Sequence, residues 1–320
     1  MKKVLVTGSA GFIGMHLCLK LLKTFQVVGI DNINNYYDIK LKQSRLKILK
    51  NNKKFIFFKT DINNFKYIYE IFKKVKPDVV INLAAQAGVR YSLKHPRKYL
   101  STNIDGFFNI LECCRIFKVK KLLYSSSSSV YGSQISGPFK ESSNTDRPLS
   151  IYAATKKSNE LMANVYNHLY DTKCIGLRFF TVYGPWGRPD MALFSFVKSI
   201  IKKNIIKIYG KGKLRRDFTY IDDIVDQVEK IIKLDLKFYN NQILNIGGGK
   251  PVKLMNFIKI IEKHLSIKAK IKFIRTPKTD VKFTYADPSR LQKLTKLNFK
   301  TDINNGIFNF VKWYKNFYKL

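Results

Sequence analysis

The chain has 320 residues, with 59 Lys and Arg against 22 Asp and Glu, a formal net charge of +37. A content of 45% hydrophobic and 14% aromatic residues excludes a disordered chain, and the length suffices for a large core in one domain or two interleaved ones. No apolar run approaches the ~18 residues of a membrane span, and with strand-like sequence from Lys2 onward no signal or transit peptide is expected.

In chain order, Lys3–Thr7, Val27–Asp31, Phe55–Lys59, Val79–Leu83, Lys121–Ser125 and Cys174–Arg178 read as short, mostly continuous apolar strands. Helix-like stretches lie between them, at Gly11–Lys23, Phe65–Lys74, Asn103–Phe117 and Ile151–Tyr170. Strands apolar on both faces that alternate with helices predict an α/β fold, a Rossmann-like doubly wound parallel sheet. Past about residue 180 the pattern turns irregular, with Gly, Pro and Arg in 183–190 and further helix-like stretches at Ile221–Leu234 and Lys253–Leu265. The expected division is a nucleotide-binding domain over 1–180, with part of 215–240 returning to it, and a smaller α/β C-terminal substrate-binding domain over 181–320.

The opening Val4-Leu-Val-Thr-Gly8-Ser-Ala-Gly11-Phe-Ile-Gly14 is a strand, a glycine turn and a helix start. Gly8 permits the turn, Gly11 lets a pyrophosphate approach the N–H groups at Phe12 and Ile13, and Gly14 lets the helix pack closely. Asp31, 23 residues past Gly8, ends the second strand, where a carboxylate takes ribose hydroxyls and disfavours a 2′-phosphate. NAD is therefore expected over NADP. A purely structural strand-end Asp is the plainer alternative.

Tyr152-Ala-Ala-Thr-Lys156 places a phenol and an ammonium on one helical face, with Ser150 as a helix cap. A free phenol has a pKa near 10. A neighbouring ammonium and an oxidised nicotinamide both favour the phenolate, so Tyr152 becomes a candidate base. Such a pair also arises by chance on helix surfaces; its place after the fifth strand gives it weight. The run Ser125–Ser129 follows that strand, and one or two of these hydroxyls are candidates to serve the same substrate oxygen.

These residues resemble the extended short-chain dehydrogenase/reductase family, in its sugar-nucleotide epimerase/dehydratase branch, and most of all its UDP-glucuronate 4-epimerases. The likeness covers almost the whole chain: TGSAGFIG at 7–14, DNINNYYD at 31–38, NLAAQAGVRYS at 82–92, SSSVYG at 127–132, YAATKKSNELMA at 152–163, LRFFTVYGPWGRPDMALF at 177–194 and RDFTYIDDI at 216–224. The resemblance implies that Gly8, Gly11 and Gly14 hold the NAD pyrophosphate and that Asp31 and Asn32 take the adenosine ribose. It assigns Asp61 and Ile62 to the adenine, and Ala84, Ala85, Gln86 and Asn103 to the cofactor side. It makes Tyr152 the base, Lys156 its partner on the nicotinamide ribose, and Ser127, 25 residues before the tyrosine, the catalytic serine. Arg216 would grip the UDP diphosphate, Ile208 and Tyr209 would pack the uracil, and Arg90, Ser127 and Ser128 would contact the substrate. Asp280 would meet the uridine ribose, although Thr279-Asp280-Val281 departs from the family's Gly-Asp-Val. A homodimer is implied by the likeness, and no metal is expected.

Within that branch, 4,6-dehydratases carry Thr-Asp-Glu, and UDP-glucuronate decarboxylases a final Glu, where this chain has Ser127, Ser128 and Ser129. Without a carboxyl group there a 5,6-elimination has no evident proton carrier, which leaves oxidation and re-reduction at C4 of UDP-glucuronate through a 4-keto sugar. Thr181 and Arg188 are expected to hold the C6 carboxylate, since a buried unpaired charge is costly. The competing reading of Arg188 is a loop staple to Asp190. A 4-epimerase of neutral UDP-glucose and UDP-galactose is the nearest rival, and a non-catalytic NAD- or nucleic-acid-binding protein the rival from another class. Lysine outnumbers arginine 48 to 11 with no long basic block, which argues against specific nucleic-acid recognition, while a basic surface favours an anionic substrate. Cys18, Cys113, Cys114 and Cys174 show no disulfide framework, and a cytoplasmic setting without membrane attachment is expected.

Overall fold

Five residues, Lys3–Thr7, form strand β1, buried from Val4 onward because helices cover both faces of the sheet it belongs to. The computed structural model describes every residue except Ile135, Thr276, residues 278–280 and Lys282. Two compact units emerge, one from residues 1–132, 143–179 and 225–244, the other from 133–142, 180–224 and 245–320.

In the first unit, β1 is joined by β2 (Gln26–Asp31), β3 (Phe55–Lys59), β4 (Val79–Asn82), β5 (Lys121–Ser127) and β6 (Cys174–Phe179). The sheet order is β6-β5-β4-β1-β2-β3, with parallel pairing throughout those six strands. The order reverses beside β1, and ligands of such sheets bind outside the carboxyl ends of the strands at that switch point. A seventh strand, Gln242–Ile246, lies beside β6 and was not foreseen. Five residues between Asn241 and Gly247 give too short a pattern to stand out beside the irregular sequence around them.

Helices α1 (Phe12–Leu21), α2 (Ile39–Lys50), α3 (Phe65–Val75), α4 (Val89–Lys94), α5 (Pro96–Tyr99), α6 (Gly106–Ile116) and α7 (Ile151–Tyr170) follow in order. The unforeseen α2 has a physical excuse. Its inward face is Leu41, Lys42, Arg45, Leu46 and Leu49, so two cations interrupt the apolar stripe that marks a helix. The helix expected over 103–117 instead begins as a π-turn, Leu100–Asp105, and continues as α6. The core on one side of the sheet is built from α3 and α6, with Phe72, Phe107, Ile110 and Leu111 packed on Leu5, Val80 and Leu122.

The second unit holds a three-stranded sheet of Pro251–Lys253, Arg215–Tyr220 and Thr181–Tyr183, and a parallel pair of Ile205–Tyr209 with Lys270–Ile274. Helices Ala192–Ile201, Leu254–Leu265 and Ile303–Tyr318 pack there through aromatic rings, among them Phe218 stacked on Phe257 at 4.0 Å and Phe194 edge-on to Tyr314 at 5.3 Å. Buried Asp217 accepts the N–H groups of Gly249 and Ala286 at 2.9 and 3.0 Å, tying three segments of this unit together. Among the described residues no helix is long and apolar enough to cross a membrane.

Candidate active site

The turn between β1 and α1 admits no side chains at its glycines. Gly8 has φ +72°, and a Cβ there would lie 2.8 Å from the Ala84 nitrogen at the end of β4. A Cβ on Gly14 would stand 2.1 Å from the Gly8 carbonyl oxygen, and one on Gly11 2.9 Å from the same atom. Gly11 caps α1 without any side-chain hydrogen bond, so the first-turn N–H groups at Phe12 and Ile13 meet no side-chain cap, and the first turn carries no acidic residue. Backbone donors at the positive end of a ten-residue helix, reached over bare glycine, suit a pyrophosphate.

Asp31 ends β2 beside this turn. Its carboxylate accepts the N–H of Ala10 at 3.1 Å and of Ile33 at 2.8 Å, and burial pushes its pKa above the usual carboxylate value. Asn32 donates to Asp61 at 2.6 Å, so the acidic ends of β2 and of the segment after β3 are joined. Behind them α2 supplies two buried cations that sequence reasoning missed. Arg45 donates to the Ala10 carbonyl at 3.1 Å and the Tyr37 hydroxyl at 2.6 Å, while Lys42 donates to the Asn34 carbonyl and side-chain oxygens at 2.8 and 2.7 Å. Ile62 is buried in the core, and its carbonyl accepts from Asn109 at 2.9 Å.

Ala84 donates to the Thr7 hydroxyl at 3.1 Å, which fixes the segment leaving β4, and half-buried Ala85 follows it. Asn103, expected on the cofactor side, makes hydrogen bonds within the protein. Its amide oxygen accepts from the Gln86 nitrogen at 2.8 Å, and its amide nitrogen donates to the Gln86 carbonyl at 3.1 Å and the Thr155 hydroxyl at 3.0 Å. Thr155 in turn donates to the Tyr152 carbonyl at 2.9 Å. Asn103 sits on the π-turn, an irregularity that recurs at functional sites and here aims one amide at two segments. It spaces β4 from α7.

The serine run divides its labour. Lys156, buried on α7, donates to the Ser125 carbonyl and hydroxyl at 2.8 and 3.0 Å. Ser126 donates to Glu160 at 2.7 Å. Ser127, the last residue of β5, caps a short 3-10 turn, Ser128–Tyr131, accepting the Ser129 N–H at 3.2 Å. Ser125 and Ser126 are thus committed to α7, while Ser127 and half-buried Ser128 stand at the strand's carboxyl end. Burial lowers the Lys156 pKa to about 7. Because the folded value lies below the ordinary 10.5, the unfolded chain binds more protons between these limits, and stability from this group rises with pH across that window. Cofactor-free Lys156→Met is expected to exceed the wild type in urea resistance at pH 6, with the advantage shrinking toward pH 10. A constant difference across that range would refute it.

Comparison with known proteins fits this geometry. The model of the NAD dependent epimerase/dehydratase family matches residues 4–247. The chain belongs to that family. It is 46% identical to the protein CapI of Staphylococcus aureus, with 99% of each chain covered. It is 45% identical to the UDP-glucuronate 4-epimerase of Thermodesulfobacterium geofontis, over 97% of this chain and 95% of that one. A crystal structure of UDP-glucuronic acid 4-epimerase from Bacillus cereus, in complex with UDP-glucuronic acid and NAD, superposes with a TM-score of 0.94 at 35% identity, covering 99% of this chain and 100% of that one. NAD is the cofactor of this family.

The remaining expected residues fall in both units. Arg90 is exposed in the first turn of α4. In the second unit Thr181 opens the strand Thr181–Tyr183, and Arg188 forks onto Asp190, Nε to Oδ1 at 3.0 Å and Nη2 to Oδ2 at 2.5 Å. The staple to Asp190 is thus present. Arg216 directs its guanidinium to the carbonyls of Arg215 and Val281, each at 2.9 Å. Ile208 is fully buried in the strand Ile205–Tyr209, whereas Tyr209 is half-buried. Asp280 lies outside the described residues. Sequence reasoning also missed Glu160 and Arg178. The spacing Lys156 to Glu160 is one helical turn and was the available signal for the first.

Proposed function

We propose that this protein interconverts UDP-glucuronate and UDP-galacturonate by oxidation and re-reduction at C4. The observation that carries this reading is the carboxyl end of β5. Ser127, Ser128 and Ser129 stand there with hydroxyls and no carboxyl group, beside an α7 that bears Tyr152 and buried Lys156. Hydroxyls can orient a sugar oxygen and relay a proton to a phenolate, but they cannot serve as the acid and base of an elimination. The relatives named UDP-glucuronate 4-epimerase, and the Bacillus cereus complex with UDP-glucuronic acid and NAD, support the same ligands here.

In this reading Tyr152 takes the O4 proton, Ser127 donates to the same oxygen, and Lys156 binds the nicotinamide ribose while its charge favours the phenolate. Bound NAD supplies a reversible hydride acceptor for C4. The 4-keto sugar turns over, so that the hydride would return to C4 on the opposite face while Tyr152 returns the proton to O4. Arg216 and Tyr209 are assigned to the UDP moiety, Thr181 and Arg188 to the C6 carboxylate. The cycle is redox-neutral. Purified protein incubated with UDP-glucuronate and no added cofactor should form UDP-galacturonate, resolved by chromatography, and should release NAD when denatured. Stoichiometric NADH, or a decarboxylated product, would overturn the assignment.

The proposed assembly is a homodimer. Leu161, Val165 and Leu169 lie one turn apart on α7 and are exposed, as is Phe108 on α6. Such an apolar stripe is suited to burial against a second copy. Leu161→Glu combined with Leu169→Glu should halve the mass measured by light scattering; an unchanged mass would place the interface elsewhere, and a monomeric wild type would end the idea.

A further inference from the structure

Glu160 and Arg178 form an ion pair whose side chains are only about 5% exposed, 5% and 4% respectively. Arg178 donates through Nε to Oε1 and through Nη2 to Oε2 of Glu160, both at 2.8 Å. Ser126 adds a third donor at 2.7 Å. Ser126 and Arg178 are register partners on β5 and β6, so two adjacent strands grip one carboxylate of α7. One turn earlier on the same helix, Lys156 is held by Ser125. Two successive turns of α7 are therefore fastened to two successive residues of β5, immediately before Ser127. Arg178 also lies 4.8 Å from the centre of the Tyr131 ring, beyond the serine run.

We propose that Glu160 and Arg178 are positioning residues, which hold α7 against β5 so that Ser127 and Lys156 stay in register with Tyr152. This role rests on the epimerase reading above. Fold stability alone gives little reason for the pair, because replacing a buried ion pair with apolar residues of similar size is often neutral or stabilising. What apolar packing cannot supply is direction. A bidentate guanidinium fixes a carboxylate in plane and distance, and the third donor fixes that plane to the strand carrying Ser127. Misplacement of reacting groups by about 1 Å can cost ~100-fold in rate.

The test separates position from stability. Glu160→Met/Arg178→Met removes the anchor together with both charges, and Ser126→Ala removes only the strand's hydroxyl. Melting temperature, bound NAD, kcat and KM for UDP-glucuronate are measured on each holoenzyme well below its melting point. The double variant is expected to melt near the wild type and keep its NAD, with KM within about twofold and kcat lowered by ~10-fold or more. Ser126→Ala should lose ~3- to 10-fold in kcat, the worth of one hydrogen bond. A double variant with wild-type kcat would show the pair to be structural only. Should the double variant fail to fold, Ser126→Ala decides, and an unchanged kcat there overturns the role. A wild type that leaves UDP-glucuronate untouched overturns the epimerase reading and this role with it, whereas an active wild type beside a fully active variant overturns this role alone.

Discussion

Tyr152→Phe is expected to lower kcat by ~10²- to 10⁴-fold while leaving fold and NAD content intact. The separation is possible because the hydroxyl is the only group removed. The Tyr152 ring meets the Tyr99 ring edge-on at 6.0 Å, and its backbone carbonyl accepts the Thr155 hydroxyl, both of which phenylalanine preserves. Ser150 caps α7 through the Ala153 nitrogen at 3.1 Å, so the first turn that carries the residue does not depend on the phenol. Without the phenol O4 has no base of matched strength, since Ser127 is a hydroxyl of much higher pKa. Near wild-type epimerisation by Tyr152→Phe, followed by product chromatography, would remove Tyr152 from the chemistry.

Arg188→Ala is expected to cost UDP-glucuronate ~10- to 150-fold more kcat/KM than it costs UDP-glucose, the worth of a charge-assisted pair at about 1.5–3 kcal/mol. The structure sharpens this expectation. With Nε and Nη2 forked onto Asp190, a C6 carboxylate either displaces Asp190 from that fork or takes other donors of the five-donor guanidinium. The Arg188 side chain is 20% exposed and that of Asp190 33%, so the existing pair is partly solvated and weakly held. If Arg188 serves only to staple its loop, both sugars lose equally, and the neutral-sugar reading gains. Comparing the two substrates on one variant distinguishes these cases directly.

The parallel sheet was legible because its central strands are buried on both faces and carry apolar residues without interruption. The range Lys3–Thr7 was read to the residue, and so was the long helix Ile151–Tyr170, whose Ser150 cap is real. The unforeseen α2 shows where pattern reading fails, since Lys42 and Arg45 point inward to hydrogen-bond partners that only the folded chain assembles. Which serine does what was equally hidden. Five identical side chains in a row carry no internal distinction, and only their partners on α7 separate Ser125 and Ser126 from Ser127. The partners of Asn103 were hidden too, because a motif does not reveal that its amide meets the Gln86 backbone and Thr155. The burial of Ile208 within its own unit is likewise a tertiary property that position in a motif does not report.

The seventh strand has a consequence for how the enzyme is made. Synthesis delivers β1 to β6 in the first 179 residues, yet the strand beside β6 arrives only with Gln242–Ile246. Until that segment leaves the ribosome, β6 presents a bare row of N–H and C=O groups, the kind of edge that invites pairing with another chain. The nascent nucleotide-binding unit therefore passes through a period of exposure while residues 180–241 are translated. A ribosome paused within that stretch should leave nascent chains unusually dependent on chaperones, and a gene cut after codon 180 should yield aggregates instead of a soluble NAD-binding half.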